Sequence, residues 1–206
     1  MSTGAVIIEG EVRVPLNISS LRRFRKWAHS PEFPDHGKIW YIAGEIEIDM
    51  SPENIYWHSV PKGDLYADLK MIVRKRNLGE LLPDGVFLVN EGAELGTEPD
   101  LMFCSWESLR SGRVEYRSAS KAGKDLVEVA GTPDLVVEII SRSSVRKDTV
   151  RLRMAYFDAG IPEYWLIDAR GKLVDFQLLK RTGKGYVAAA PDSEGFLRSP
   201  TFGCRF

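Results

Sequence analysis

Residues 132–168 constrain this chain more than any other stretch. They open with Thr132-Pro133-Asp134-Leu135-Val136-Val137-Glu138-Ile139-Ile140-Ser141 and close with Ala159-Gly160-Ile161-Pro162-Glu163-Tyr164-Trp165-Leu166-Ile167-Asp168. Both ends are short apolar runs rich in Val, Ile and Trp, bounded by Pro, Gly and Ser, which is the pattern of buried strands. Lys147 to Asp158 between them reads as a helix. Strand, helix, strand is a βαβ unit, and its crossover makes the two strands a parallel pair at the centre of a sheet. The fold class is therefore α/β or α+β.

One residue breaks the apolar logic. Glu138 has aliphatic neighbours on both sides, so its carboxylate is largely withdrawn from water. A buried carboxylate needs a cation, a donor or a raised pKa. Strand alternation places Asp134, Val136, Glu138 and Ile140 on one face.

The rest of the chain supplies the frame. Its 206 residues suffice for one domain with a substantial core. A net charge of −1 gives no global basic field to attract nucleic acid, although a local basic groove is compatible with it. Cys104 and Cys204 have no metal-ligand spacing and read as ordinary thiols. No signal peptide and no apolar run of about 20 residues is present, so the expectation is a cytoplasmic protein without a membrane span.

In chain order, the alternation in residues 1–15 predicts an edge strand stopped by Pro15. Ser19-Ser20 offers an N-cap for a short basic helix from Leu21 to His29, whose Arg22, Arg23, Arg25 and Lys26 read first as a solvated face. Ile39–Met50 predicts two strands about a turn at Ala43-Gly44. Tyr56 or His58 through Arg76 predicts a helix with Pro61 in its first turn. Leu81-Leu82, Val86–Val89 and Leu101–Cys104 predict further strands. Residues 105–131 are polar and are expected to be an insertion to a core of 38–190. Leu173–Lys180 and Tyr186–Ala190 predict an antiparallel meander, and the end at Phe206 leaves room for a further C-terminal element.

Two acids head or interrupt two predicted core strands: Asp100, after Pro99, and Glu138. Glu45 sits at the turn before an acidic strand. Carboxylates gathered in a cleft repel one another, and a hard divalent cation relieves that repulsion. Mg²⁺ is satisfied by one or two such carboxylates, with waters and a phosphate completing its shell. A cation so held activates water and stabilises the charge on a cleaved phosphodiester.

The chain resembles the Uma-type family of restriction endonucleases, a branch of the PD-(D/E)XK nuclease superfamily, over roughly residues 38–206. The motifs that carry the resemblance are Ala43-Gly44-Glu45 with Met50-Ser51-Pro52 and His58, Pro99-Asp100-Leu101, Pro133 to Ser141 with Ser143-Ser144, and Asp148 through Tyr156 to Asp168. The resemblance implies a restriction-endonuclease-like mixed β-sheet flanked by helices, forming a single domain over 1–206. It implies a Mg²⁺- or Mn²⁺-dependent endonuclease acting on DNA. Asp100 matches the motif aspartate, Glu138 the acid of the (D/E)XK element, and Glu45 an auxiliary metal-binding acid. The resemblance also makes His58 a candidate active-site or rim residue. A homodimer would suit the cutting of two strands.

The sequence departs from the superfamily pattern at the lysine. Position 140, two residues after Glu138, holds Ile140, and the alternative slot four residues before Tyr156 holds Leu152. Arg151 and Arg153 point about 100° to either side of that slot. Lys147, where the helix begins, is the better geometric replacement. Two other readings stay open: a nucleic-acid-binding or accessory protein of the same fold that has lost turnover, and a structural domain whose acids sit in salt bridges.

Overall fold

The computed structural model describes residues 4–8, 12–118 and 125–206. Where a single edge strand is expected, β1 (Ala5–Ile8) and β2 (Val12–Pro15) pair as an antiparallel hairpin with a small sheet of their own. In α1 (Leu21–Ala28) the first turn is capped by Ser20, whose Oγ accepts from Arg23 N, and Leu21, Phe24 and Trp27 are buried. Next come β3 (Lys38–Ile42) and β4 (Glu45–Asp49), joined at Ala43 (φ 49°) and Gly44 (φ 88°). Two positive φ values give the tight turn whose twist matches a hairpin.

A wide turn of π-helical pitch, Ile55–Ser59, leads into α2 (Val60–Arg76), which stops at Asn77 in the left-handed conformation. There follow β5 (Gly79–Pro83), β6 (Phe87–Asn90), β7 (Leu95–Thr97), β8 (Leu101–Ser105) and α3 (Trp106–Arg110). After β9 (Val114–Ser118) and β10 (Leu126–Gly131) comes β11 (Leu135–Ile139). A second wide turn, Lys147–Leu152, precedes α4 (Arg153–Asp158) and β12 (Glu163–Asp168). The meander β13 (Asp175–Thr182) and β14 (Gly185–Ala188) and the short pair β15 (Arg198–Ser199) and β16 (Cys204–Arg205) complete the chain.

The long strands divide between two six-stranded mixed sheets. One has the order β14-β13-β12-β11-β8-β5, with β11 and β12 parallel at its centre. The other has the order β4-β3-β7-β6-β10-β9. Residues 105–131 are therefore integral to the fold. Strand β10 pairs parallel with β6, and the apolar residues Val114, Val129 and Ala130 are buried. Residues 119–124 lie outside the described residues.

Alternation along β11 explains the layering. Leu135, Val137 and Ile139 face α2, where they pack with Leu69, Val73 and Trp165. Val136 and Ile140 face the opposite side, into a core built by both sheets together with α4, including Trp40, Leu88, Met102 and Tyr156. The outer face of the second sheet is covered by α1 and β2, with Phe24 and Trp27 against Tyr41 and Phe87. Glu138 shares a face with Val136 and Ile140, so its carboxylate enters the core between the sheets.

Candidate active site

Strand pairing brings the two motif acids together. β8 and β11 are antiparallel, with Leu135 opposite Phe103 and Val137 opposite Leu101. One step further in that register sets Asp100 across from Glu138. Directly opposed residues of an antiparallel pair point to the same face. The pairing is sealed by Ile139 N, which donates to Asp100 Oδ2 at 2.8 Å. Both acids are buried, 4% and 3% exposed, and line one cleft.

Glu138 is held from the far side by α4 and the wide turn before it. Tyr156 Oη donates to Glu138 Oε1 at 2.5 Å, and Lys147 Nζ lies 3.8 Å from Glu138 Oε2. Lys147 also pairs with Asp148 at 2.5 Å and sits over the Trp40 ring, 4.3 Å from its centroid. Asp148 is fixed by the Ser144 hydroxyl. Burial pushes the Glu138 carboxyl up to about 8, with repulsion from Asp148 and Asp100 adding to it and Lys147 and Tyr156 pulling against it. Burial works against the charge of Lys147, yet attraction from Glu138 and Asp148 raises its pKa above the usual lysine value.

Asp100 behaves in the opposite way. Burial favours its neutral form, but His58, Lys38 and the Ile139 amide outweigh it and hold the carboxyl at about 2. Its His58 neighbour comes from the first wide turn. There Asn54 Oδ1 accepts from Tyr56 N and Trp57 N, both at 3.0 Å, while Ser59 N reaches back to Asn54 O. This turn places the imidazole between two carboxylates, Nε2 at 3.4 Å from Asp100 Oδ2 and Nδ1 at 3.3 Å from Glu53 Oε2. Lys38 at 2.5 Å and Lys62 at 3.0 Å pair with Glu53 and also approach Asp100, at 3.9 and 3.6 Å. Burial works to raise Glu53, but Lys38, Lys62 and His58 bring its carboxyl down to about 2.

The donor chemistry fits a divalent cation. Glu53, His58 and Asp100 each offer a ligand atom, and these atoms lie within 4.8 Å of one another. Carboxylate oxygens suit Mg²⁺, whereas an added imidazole nitrogen favours a softer ion such as Mn²⁺. Asp100 belongs both to this trio and to the Asp100–Glu138 pair.

Asp100, Glu138, His58 and Lys147 thus meet in one cleft, and Glu45 does not. Lys38 pairs with Asp49 and Ile42 with Glu45 in the β3–β4 hairpin, so Glu45 lies at the turn end while the cleft is at the other end. Its side chain is 71% exposed and pairs with Arg151 at 2.8 Å. The acids that this segment brings to the cleft are Asp49, at the end of β4, and Glu53, in the Pro52-Glu53-Asn54 stretch five residues before His58. Lys38, Lys62 and the Tyr156 hydroxyl were also not singled out by sequence. The nearest available signal for Tyr156 was its place on the helix that crosses the face carrying Glu138.

Other polar residues near these strands have structural partners. Asp134 accepts from Ser105 N and the Ser108 hydroxyl, both at 2.7 Å, and pairs with Arg113, which makes it a clamp at the far end of β11. Glu163 accepts from Trp165 Nε1 at 2.6 Å and Thr201 N at 2.9 Å. Ile140 and Leu152, the two apolar residues in the lysine slots, are buried in the core. Arg25 of the basic helix pairs with buried Glu128 at 2.6 Å. Cys104 and Cys204 are free thiols.

The family model described as "Putative restriction endonuclease", Uma2, matches residues 21–203. The chain belongs to the Uma2 family. Its fold is restriction-endonuclease-like, a mixed α+β arrangement. This Uma2 member is similar in structure to a "putative nuclease belonging to DUF820" from Anabaena variabilis, with a TM-score of 0.63 and 18% identity over 89% of this chain and 90% of that one. No curated protein matches the chain. Among the described residues no helix is long and apolar enough to cross a membrane.

Proposed function

We propose that this Uma2 member is a divalent-metal-dependent endonuclease that hydrolyses phosphodiester bonds in DNA. The observation that carries the reading is the meeting of buried Asp100 and Glu138 with the Lys147 ammonium in one cleft. Family membership gives that constellation its nuclease context.

Asp100 and Glu138 would hold Mg²⁺ or Mn²⁺, with Glu53 and His58 as further donors on the Lys38 side. The bound cation supplies Lewis-acid polarisation of the phosphoryl group and an acidified water. The remaining work falls to side chains. Lys147 favours the ionised form of Glu138, the form able to bind a cation, and its positive charge suits a water or a developing oxyanion beside that acid. Tyr156 fixes the Glu138 rotamer through its hydrogen bond. Lys38 and Lys62 pair with Glu53 and approach Asp100, and they carry the charge needed to receive the phosphate of an incoming strand.

A binding protein of the same fold without turnover is the second reading. It is favoured by the tight engagement of Lys147 with Asp148 and by the apolar residues in both strand and helix lysine slots. One experiment separates the two. Supercoiled, linear and single-stranded DNA are incubated with Mg²⁺ or Mn²⁺ and wild-type protein, Asp100→Asn or Glu138→Gln. Metal-dependent products with wild type, absent from both variants, support hydrolysis. Strand binding that weakens steeply with salt, with no product under any condition, supports the second reading.

A further inference from the structure

A second cavity of about 240 Å³ opens directly beside the acid cleft. Ser51, Pro52, His58 and Ser141 line both spaces, so a strand crossing one reaches the other. The second cavity has a different character. Its walls include Trp57, Arg142 and Arg170, with no carboxylate among the lining residues. The Arg142 guanidinium lies over the Trp57 ring, 4.6 Å from its centroid. Trp57 is held at the backbone by the Asn54 side chain. Arg170 is fixed by two bonds to Asp168, at 2.8 and 2.7 Å, and by one to Ser141 O at 3.4 Å.

We infer that this cavity receives a single unpaired nucleotide of the substrate strand, adjacent to the phosphate bound at the acid cleft. The inference rests on the nuclease reading and narrows its substrate class to DNA with an unpaired base: single-stranded, branched or locally opened. Three features argue for it. An indole face and a guanidinium plane are both among the side-chain surfaces on which nucleobases stack. Arg142, which makes no ion pair among those described, supplies positive charge for a phosphodiester, while Arg170, paired with Asp168, adds a guanidinium wall to the cavity. The volume falls below the roughly 300–1,000 Å³ of pockets for drug-sized ligands, which suits one base rather than a base pair. A base within a duplex would have to leave its stack to enter.

The test uses the full chain in EDTA, so that no strand is cut, and fluorescence polarisation of labelled oligonucleotides. The probes are a short mixed-sequence single strand, the same strand annealed to its complement, the single strand with abasic sites, and its ribonucleotide counterpart. The intact single strand is expected to bind most tightly of the three DNA probes. Its affinity should fall roughly ten- to hundredfold in Trp57→Ala, and less in Trp57→Phe, which keeps a ring. Arg142 is exposed, so Arg142→Ala tests the site without threatening the fold, and it should also weaken binding. Tighter binding of the ribonucleotide strand, still dependent on Trp57, supports the pocket and moves its strand to RNA.

Equal affinity for intact and abasic strands, or wild-type affinity in both Trp57→Ala and Arg142→Ala, overturns the inference. So does an absence of strand binding. The two levels of the argument separate cleanly. Metal-dependent cleavage that is indifferent to Trp57 and Arg142 removes the pocket and leaves the nuclease. Trp57-dependent binding of unpaired strands without cleavage leaves the pocket and removes hydrolysis.

Discussion

Replacing Glu138 by glutamine should make the metal-free protein more stable at alkaline pH, even as it removes a residue assigned to the reaction. Burial lifts the folded-state pKa of Glu138 from 4.5 to about 8. For a carboxyl the sign follows directly. Between the two values the folded chain holds a proton that the unfolded chain has lost, so stability is fully present below 4.5 and falls as pH rises towards 8. The gap sets a ceiling of about 5 kcal/mol. Relaxation and water in the cleft reduce the realised cost of such a buried ion, and we expect about 2–3 kcal/mol. Asp148 is also raised, by burial first, and adds a loss of the same sign. Asp100 and Glu53 titrate near 2, well below the window from pH 5 to 9. Glutamine keeps the volume and still accepts from Tyr156, and Lys147 retains Asp148 at 2.5 Å. Urea unfolding in EDTA at pH 5, 7 and 9 measures the effect. Wild type should lose stability across this range, and the advantage of Glu138→Gln should grow with pH. A flat wild-type profile, or a variant less stable than wild type at pH 9, would refute the reasoning.

Three further perturbations distinguish the parts of the site. Lys147→Ala leaves Asp148 buried without its cation, Glu138 still holding its proton at neutral pH, and should cost about 3–5 kcal/mol in denaturant melts there, a loss that lowering the pH partly restores. Glu45→Ala removes only an exposed pair with Arg151, so stability should stay within about 0.5 kcal/mol and DNA cleavage should be unchanged; a large loss of cleavage would return Glu45 to the site. His58→Ala should weaken Mn²⁺ binding by calorimetry more than Mg²⁺ binding, because only the softer ion gains from imidazole; an equal effect on both would assign His58 to holding Asp100 and Glu53 apart instead.

The centre of the fold was legible because it depends on local patterns. The two apolar runs at 135–139 and 163–168 do form the parallel pair at the middle of a sheet, and period two placed Glu138 on the same face as Val136 and Ile140. What the pattern could not convey was partnership between distant strands. Nothing in Lys38–Asp49 or Phe87–Asn90 says that these strands build a second sheet, and the polar look of 105–131 hid a strand, β10, that pairs with β6 across 41 positions. Glu45 illustrates the same limit inside the site. An acid beside a Gly turn matches the family's spacing, yet the hairpin register carries it to the end remote from the cleft and delivers Glu53 from the loop after the hairpin.

Lys147 reaches Glu138 from the start of the following helix and not from the strand position two residues on. On the strand, position 140 would direct its side chain to the same face as Glu138, but Ile140 there is committed to the core with Tyr156 and Trp40. The helix that follows offers another approach, because the 153–158 segment crosses that face and Tyr156 already touches Glu138. A regular helix from 147 would hold its first residues to a pitch of 3.6 per turn. The observed Lys147–Leu152 segment is wider, and such π-helical turns change which side chains a helix directs at its neighbour. Here Leu152 turns wholly into the core while Lys147 and Asp148 reach the acids. The same device recurs at Ile55–Ser59, where the wide turn brings His58 to Asp100. Both helices that border the cleft thus begin with a widened turn carrying a residue that faces the acids. Shifting either turn to regular α-helical pitch, for instance by deleting one residue between Asn54 and Val60, should leave α2 intact and separate His58 from Asp100. Circular dichroism would then report an unchanged helix content while Mn²⁺ affinity falls. Retention of full Mn²⁺ affinity by a folded deletion variant would mean that the widened turn has no part in the site.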